Sequence, residues 1–457
     1  MQNLQKGGSG DLVRGVGPFD ATMLVMGGIV GAGIFINPYV VAREVHTPAL
    51  ILGAWGAGGL IALAGAFVYA ELAARLPAAG GQYAYLREAY HPLVAFLYGW
   101  ALLLVIQTGG MAAVAVTFAG YALELTGLPL SPPAVAIAAL IGLAAINCVG
   151  VRAGSSVQSG LMVLKILAIL ALVGGGAWFL LRGLAPLAPA AAPAAATIFH
   201  RGPLAAFGAA MVPVLFAYGG WQTANFVAEE VREPRRNLPR ALVAGVIGVV
   251  LLYLGVNAVC VAVLGPAGLA ATTTPASAVM VRVFGAAGGR WIAAGIAVST
   301  LGFLSQSVLT APRVYFAMAR DGVFFRSVGW LDPRRGVPTV AILLQAATAV
   351  VIALSGRYDQ ILGYVVSMDF LFFGLTATCL FVLRRRPSPD AGAGALARVP
   401  GHPVTTLLFV AACWVVVGST LVRYPENSGV GMAILAAGVP VYFIWRRAGS
   451  APREGER

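Results

Sequence analysis

The sequence predicts an all-α integral membrane protein with twelve transmembrane helices, the first ten forming two consecutive five-helix units related as a 5+5 inverted repeat. Three observations predict it. Of 457 residues, 59% are hydrophobic and 10% charged, with a mean hydropathy of +0.85, whereas soluble domains carry about 25% charged residues. So few charges cannot cover a soluble surface of this size, and so apolar a chain is not disordered. Twelve apolar stretches are each long enough for a bilayer core of about 30 Å, which takes about 20 helical residues. Glycine-rich interruptions fall in the first and sixth stretches, the opening members of the two units.

In order, the spans are 20–42, 49–74, 92–119, 131–149, 157–181, 206–228, 239–264, 290–318, 337–355, 359–383, 403–422 and 428–446. They divide the chain into a cytoplasmic N-terminus (1–19), a first repeat (20–181), an extracellular loop (182–205), a second repeat (206–383), a cytoplasmic loop (384–402), a closing pair (403–447) and a cytoplasmic tail (448–457). The first apolar run carries Asp20 and is long enough to span, so it reads as a span and not as a signal peptide. The Pro/Ala-rich stretch 184–203 reads as a loop, and the apolar piece 276–284 is too short to cross and reads as a re-entrant or surface helix. Of 30 Lys and Arg, 22 sort to one side, including Arg232, Arg235, Arg236, Arg240 and Arg384-Arg385-Arg386, and seven to the other. The positive-inside rule then places both termini in the cytoplasm, so the net charge of +13 is a topology signal and not a nucleic-acid site.

Span 1 contains Gly27-Gly28-Ile29-Val30-Gly31-Ala32-Gly33-Ile34-Phe35, and span 6 contains Phe216-Ala217-Tyr218-Gly219-Gly220-Trp221 after Pro213. Each glycine weakens a helix by about 1 kcal/mol relative to Ala. Interrupted segments at matching positions of two halves point to the central site of an inverted-repeat transporter. An unwound segment at mid-membrane leaves backbone N–H and C=O groups without helical partners. N–H groups at the start of the outer half of span 1 suit a carboxylate, helped by the positive end of the helix dipole. Carbonyls left free in spans 1 and 6 suit an ammonium, so the pair favours an amino acid or similar zwitterion.

Lys165 lies at the middle of span 5, about 12 Å of helix from the nearer end, too deep to snorkel. An intramembrane lysine is costly and therefore functional by default. A fixed ammonium there can stand in the place of a bound sodium and brace span 5 against spans 1 and 8, while a lowered proton affinity would leave proton coupling open.

These motifs, with Pro77-Ala78-Ala79-Gly80-Gly81-Gln82-Tyr83-Ala84-Tyr85, Asn225-Phe226-Val227-Ala228-Glu229-Glu230-Val231, Asn237-Leu238-Pro239 and Ala319-Arg320-Asp321-Gly322, resemble the amino acid–polyamine–organocation superfamily, and within it the L-type amino acid transporter family, over about residues 14–447. The resemblance implies a leucine-transporter-like fold moving L-amino acids by alternating access. It implies a substrate carboxylate at Gly31, Ala32 and Gly33, and an amine at carbonyls near Ile29, Phe216, Ala217 and Gly219. Phe216 looks like the family's gate, and Ser305 falls where several relatives place Asn near the substrate. Lys165 replaces the second sodium site of sodium-coupled relatives, which implies sodium-independent transport. Tyr253 matches a family tyrosine approaching the span 1 break, and Ser299 a serine near the lysine; a core tyrosine and a self-bonded serine are the plain alternatives. Exchange of one neutral amino acid for another is implied, with proton symport as the alternative. Animal relatives bind a heavy subunit through a cysteine in the loop after span 3; here that loop, about 120–130, has none, which implies a stand-alone carrier.

Asp369 in span 10 reads equally as a packing hydrogen bond or a proton relay. Gln107 and Asn147 read as helix contacts, and Glu229 and Glu230 as a solvated cluster with Arg232, Arg235 and Arg236 or a cytoplasmic gate. An enzyme is disfavoured, since His46, His91, His200 and His402 all fall in loops and no acid pair lies in the bundle. Cys148, Cys260, Cys379 and Cys413 show no disulfide or metal-site spacing, and no cofactor is expected. No Walker motif supplies an ATP engine. A transporter-like sensor remains the alternative of another class. The expected surroundings are the lipid bilayer of the cell's inner (plasma) membrane; oligomeric state is not legible in the sequence.

Overall fold

The computed structural model describes residues 12–183, 202–354, 358–386, 397–423 and 425–449. The expected terminal tails beyond 12 and 449, most of the 182–205 loop and most of the 384–402 loop lie outside the described residues. Among the described residues the fold is all helical, with one isolated parallel bridge between Val16 and Val231. Among the described residues, ten helices are long and apolar enough to cross a membrane. One further pair, α1 (Pro18–Ile29) and α2 (Gly33–Val45), passes that test together across a 42° bend. Thr339–Leu354 is apolar but shorter, with 16 residues.

Then follow α3 (Pro48–Arg75), the short α4 (Gln82–Ala89), and α5 (Pro92–Ala101), which passes through a wide π turn at Leu102–Ile106 into α6 (Gln107–Thr126). After α7 (Pro132–Val149) and α8 (Val151–Leu181) comes α9 (Pro203–Tyr218), which ends at Gly219-Gly220 before a tighter 3-10 segment, Trp221–Glu230. The remaining helices are α10 (Pro234–Ala271), α11 (Pro275–Thr310), α12 (Pro312–Arg320), α13 (Thr339–Leu354), α14 (Tyr358–Arg384), α15 (Val404–Arg423) and α16 (Pro425–Gly449). Proline opens many of them because its missing N–H costs nothing in a first helical turn.

Several boundaries move. The third span continues to Thr126, and the fifth begins six residues before the expected 157, at Val151 after Gly150. The expected short piece 276–284 is helical, and a kink at Gly285 (φ +64, ψ −154) sets it off from the long segment of α11. The eighth span does not run unbroken to 318, because Pro312 cannot donate to the helix before it and a new helix, α12, starts there.

The packing puts α1 and α2 at the centre. They are flanked by α8, α9, α10 and α11. Glycines permit the closest approaches: a Cβ on Gly302 of α11 would lie 2.5 Å from Lys165 Cε, and one on Gly176 of α8 would lie 2.1 Å from a methyl of Val259. A segment before α1 is threaded beneath the bundle. The Val16 N–H donates to Glu230 O (2.9 Å), and the Arg232 N–H donates to Val16 O (3.0 Å). Leu12 packs with Ala79 and Phe316 nearby.

Candidate functional site

The two breaks meet back to back. A Cβ on Gly220 would stand 2.0 Å from Gly28 O, and one on Gly28 would stand 2.4 Å from Gly220 O. Gly220 also holds φ +102, in the region that glycine occupies without strain. Both positions therefore require glycine.

In the first break, Val30 is extended (φ −77, ψ 95) and α2 starts afresh at Gly33. Three consecutive carbonyls lose their helical donors, and a side chain from a different helix claims each. The Tyr253 hydroxyl lies 3.1 Å from Ile29 O, Lys165 Nζ lies 2.6 Å from Val30 O, and the Ser299 hydroxyl lies 3.1 Å from Gly31 O. Lys165, Tyr253 and Ser299 are fully buried. Tyr253 is also 3.3 Å from Ala217 O, so its single proton can serve either break but not both at once. The N–H groups at the opening of α2 have no comparable clasp; they are the first-turn donors that a helix cannot satisfy by itself, at its positive end. Asn37 Nδ2 ties α2 to α9 through Pro213 O (2.9 Å).

A cavity of about 290 Å³ opens beside the breaks. Ile29, Gly31, Ala32, Gly33, Phe216, Ala217 and Gly219 all line it. Lys165, Tyr253 and Ser299 do not; they stand behind the break and hold it. Ser305, expected near the substrate, is buried outside the lining, whereas Phe303 and Gln306 line the cavity. The reason is helical register: residues three apart share a face of α11, and Ser305, two positions after Phe303, points away. Gln107 corrects the other way. It was expected to satisfy helix contacts, yet it lines the cavity where the π turn widens the wall, a common place for such turns. Asn147 donates to Leu143 O of its own helix (2.9 Å). Asp369, read from the sequence equally as a packing hydrogen bond or a proton relay, lines the cavity from α14.

Toward the arginine-rich face the cavity is closed. Gln306 Nε2 and the Thr223 hydroxyl form a hydrogen bond across its floor. Below, Glu230 and Arg313 form a fully buried fork-to-fork pair at 2.8 and 3.1 Å. Glu229 accepts the Ala79 N–H (3.0 Å) and lies 3.9 Å from Arg320. The partners of these two glutamates are therefore Arg313 and Arg320, in place of the expected Arg232, Arg235 and Arg236. The 3-10 segment turns the carboxylates toward α12, and sequence spacing does not show that turn. A second latch joins Glu71 to Arg384 (2.6 and 2.9 Å) and to the Val399 N–H (2.8 Å). Arg87 and the Tyr83 hydroxyl (2.8 Å) both bond Asp321, and that hydrogen-bonded ion pair holds the Arg87 guanidinium above its ordinary value although burial opposes it. In the opposite direction the lining continues along Ile36, Asn37 and Thr117.

Among the described residues no group of three or more His, Cys, Asp or Glu converges. Backbone donors at the opening of α2 and carbonyls of the two breaks border one cavity, an arrangement that suits a small zwitterion. Residues 16–444 match the family model described as "Amino acid permease". The chain is 30% identical over 440 residues to the serine/threonine exchanger SteT of Bacillus subtilis, covering 94% of this chain and 97% of that one. It is 30% identical to the human large neutral amino acids transporter small subunit 2, covering 96% of this chain and 81% of that protein. The mouse Asc-type amino acid transporter 1 is also 30% identical, covering 95% and 82%.

Proposed function

This chain belongs to the amino acid permease family, and from that premise we propose that it is a sodium-independent carrier that exchanges L-amino acids across the plasma membrane by alternating access. The observation that carries the reading is the clasped break: its carbonyls are held by Tyr253, Lys165 and Ser299, while Gly31, Ala32 and Gly33 line the cavity beside it. The substrate carboxylate would lie at the amides of Gly31, Ala32 and Gly33. Its ammonium would lie at the remaining lone pairs of Ile29, Phe216, Ala217 and Gly219, with Phe216 folding over the entry. Lys165 supplies, as a fixed charge, what a coupling cation supplies elsewhere, so no sodium is needed. The proposal includes twelve spans in two repeats, with the arginine-rich face and both termini in the cytoplasm. On this reading the face closed by these ion pairs is the cytoplasmic one, and transport requires Glu230 and Arg313 to part while Glu71 releases Arg384. We also propose that the carrier works without a disulfide-linked subunit, because residues 120–130 offer no cysteine.

The test is uptake of labelled amino acids into proteoliposomes, either empty or preloaded with unlabelled amino acid, in sodium or choline, with and without a pH gradient. Strong stimulation by internal amino acid, unchanged in choline, is expected. Uptake into empty vesicles driven by the pH gradient would replace exchange with proton symport. Tight binding without flux in any arm would make the protein a sensor.

A further inference from the structure

We propose that Asp369 sets side-chain specificity, as the counter-charge for an L-amino acid whose side chain ends in an ammonium or guanidinium. The inference rests on the reading of the cavity as the amino-acid site, and it replaces the neutral preference implied by family resemblance.

Among the residues lining the cavity, Asp369 is the one that carries a formal charge. Its neighbours in the lining from α14 are Val365, Val366 and Phe370. Among the described residues it makes no hydrogen bond and no ion pair, and the cations of the bundle are committed elsewhere: Lys165 to Val30 O, and Arg313 to Glu230. An ionised carboxylate in an apolar wall is unfavourable unless a cation joins it. The fold supplies none, yet it leaves the carboxylate facing the space that a substrate fills. The amides of Gly31–Gly33 belong to the same small cavity, so a substrate anchored there by its α-groups has only its side chain left to meet α14. The rings of Phe303 and Phe370, which line the same space, suit the stem and the flank of a cationic group. A proton is the competing occupant. The lining itself holds no second ionisable group to hand a proton on, and the ionisable neighbours of Asp369 behind it, Tyr69, Tyr98 and Cys413, are buried in the bundle away from the cavity.

Lysine and norleucine separate the alternatives, since they share a four-carbon stem and differ in the terminal ammonium. In proteoliposomes, labelled lysine uptake and its competition by lysine, ornithine, arginine, norleucine and serine are measured for the wild type, Asp369→Asn and Asp369→Glu. The wild type should be inhibited at least about 10-fold more strongly by lysine than by norleucine, as a paired charge in a low-dielectric site requires. Asp369→Asn should reduce that ratio by at least about 10-fold, and Asp369→Glu should restore it with ornithine gaining on lysine. Equal or stronger competition by norleucine in the wild type overturns the proposal without any variant. So does an unchanged ratio in Asp369→Asn, or a lysine preference that persists there while the response of uptake to pH disappears. Robust uptake of neutral amino acids with indifference to lysine leaves the carrier reading standing and removes this one; no uptake of any amino acid removes both.

Discussion

The breaks in the first and sixth spans solve one problem by opposite means. In the first, the orphaned carbonyls of Ile29, Val30 and Gly31 are satisfied from outside, by Tyr253 of α10, Lys165 of α8 and Ser299 of α11. In the sixth, the chain supplies most of its own partners, beside the longer contact from Tyr253 to Ala217 O (3.3 Å). The Gly219 N–H returns to Phe216 O (3.1 Å), and the Thr223 hydroxyl returns to Gly220 O (2.6 Å), with Gly220 at φ +102 making the turn. The first break is thus a clasped element whose geometry depends on three other helices. The sixth is a hinge whose geometry is written into its own two glycines. A clasped break can sense the arrangement of its neighbours, whereas a self-closed one can swing while keeping its hydrogen bonds.

This contrast can be broken or sharpened by substitution. The largest effect is expected at the hinge. Gly220→Ala forces a Cβ against Gly28 O at 2.0 Å and an alanine into φ +102, which should destabilise the fold by about 3 kcal/mol or more and abolish uptake. Gly31→Ala should keep the wild-type melting temperature in detergent, since its Cβ would meet only Phe303 at 3.5 Å. Next comes the clasp with a charge. Lys165→Ala strips the buried Val30 carbonyl of its donor and should lower uptake about 10- to 100-fold at equal membrane insertion. Full activity would show that Val30 needs no clasp. Tyr253→Phe keeps the ring and loses one proton shared between two breaks, so uptake should fall about 5-fold. A loss in Tyr253→Phe as large as that in Gly220→Ala would mean that the sixth break depends on this hydroxyl as much as on its own glycines. Ser299→Ala should have the smallest effect, about 2- to 5-fold, read as initial uptake rate.

Much of the site's frame was legible because it rests on costly residues. Four glycines in seven residues and a lysine in mid-span are expensive in a membrane helix, so their positions carry meaning without any knowledge of packing. What stayed hidden depends on register and partner choice. Ser305 and Gln306 are adjacent in sequence, and only the rotation of α11 decides which of them faces the cavity. Gln107 looks like a packing residue until the π turn at Leu102–Ile106 shifts the wall. Glu230 has three arginines within six residues, yet it pairs with Arg313, 83 positions away. Asp369 was visible as a buried acid, but its place in the cavity wall depends on how α14 packs beside the breaks.

The threaded segment before α1 bears on how the protein can be handled in the laboratory. Val16 exchanges two backbone hydrogen bonds with the strand-like stretch after the 3-10 segment, and Leu12 is seated against Ala79 and Phe316. A fluorescent or affinity tag joined at residue 12 or later would pull on the floor of the carrier itself. A deletion ending at residue 17 would remove the bracing that Leu12 and Val16 give the floor.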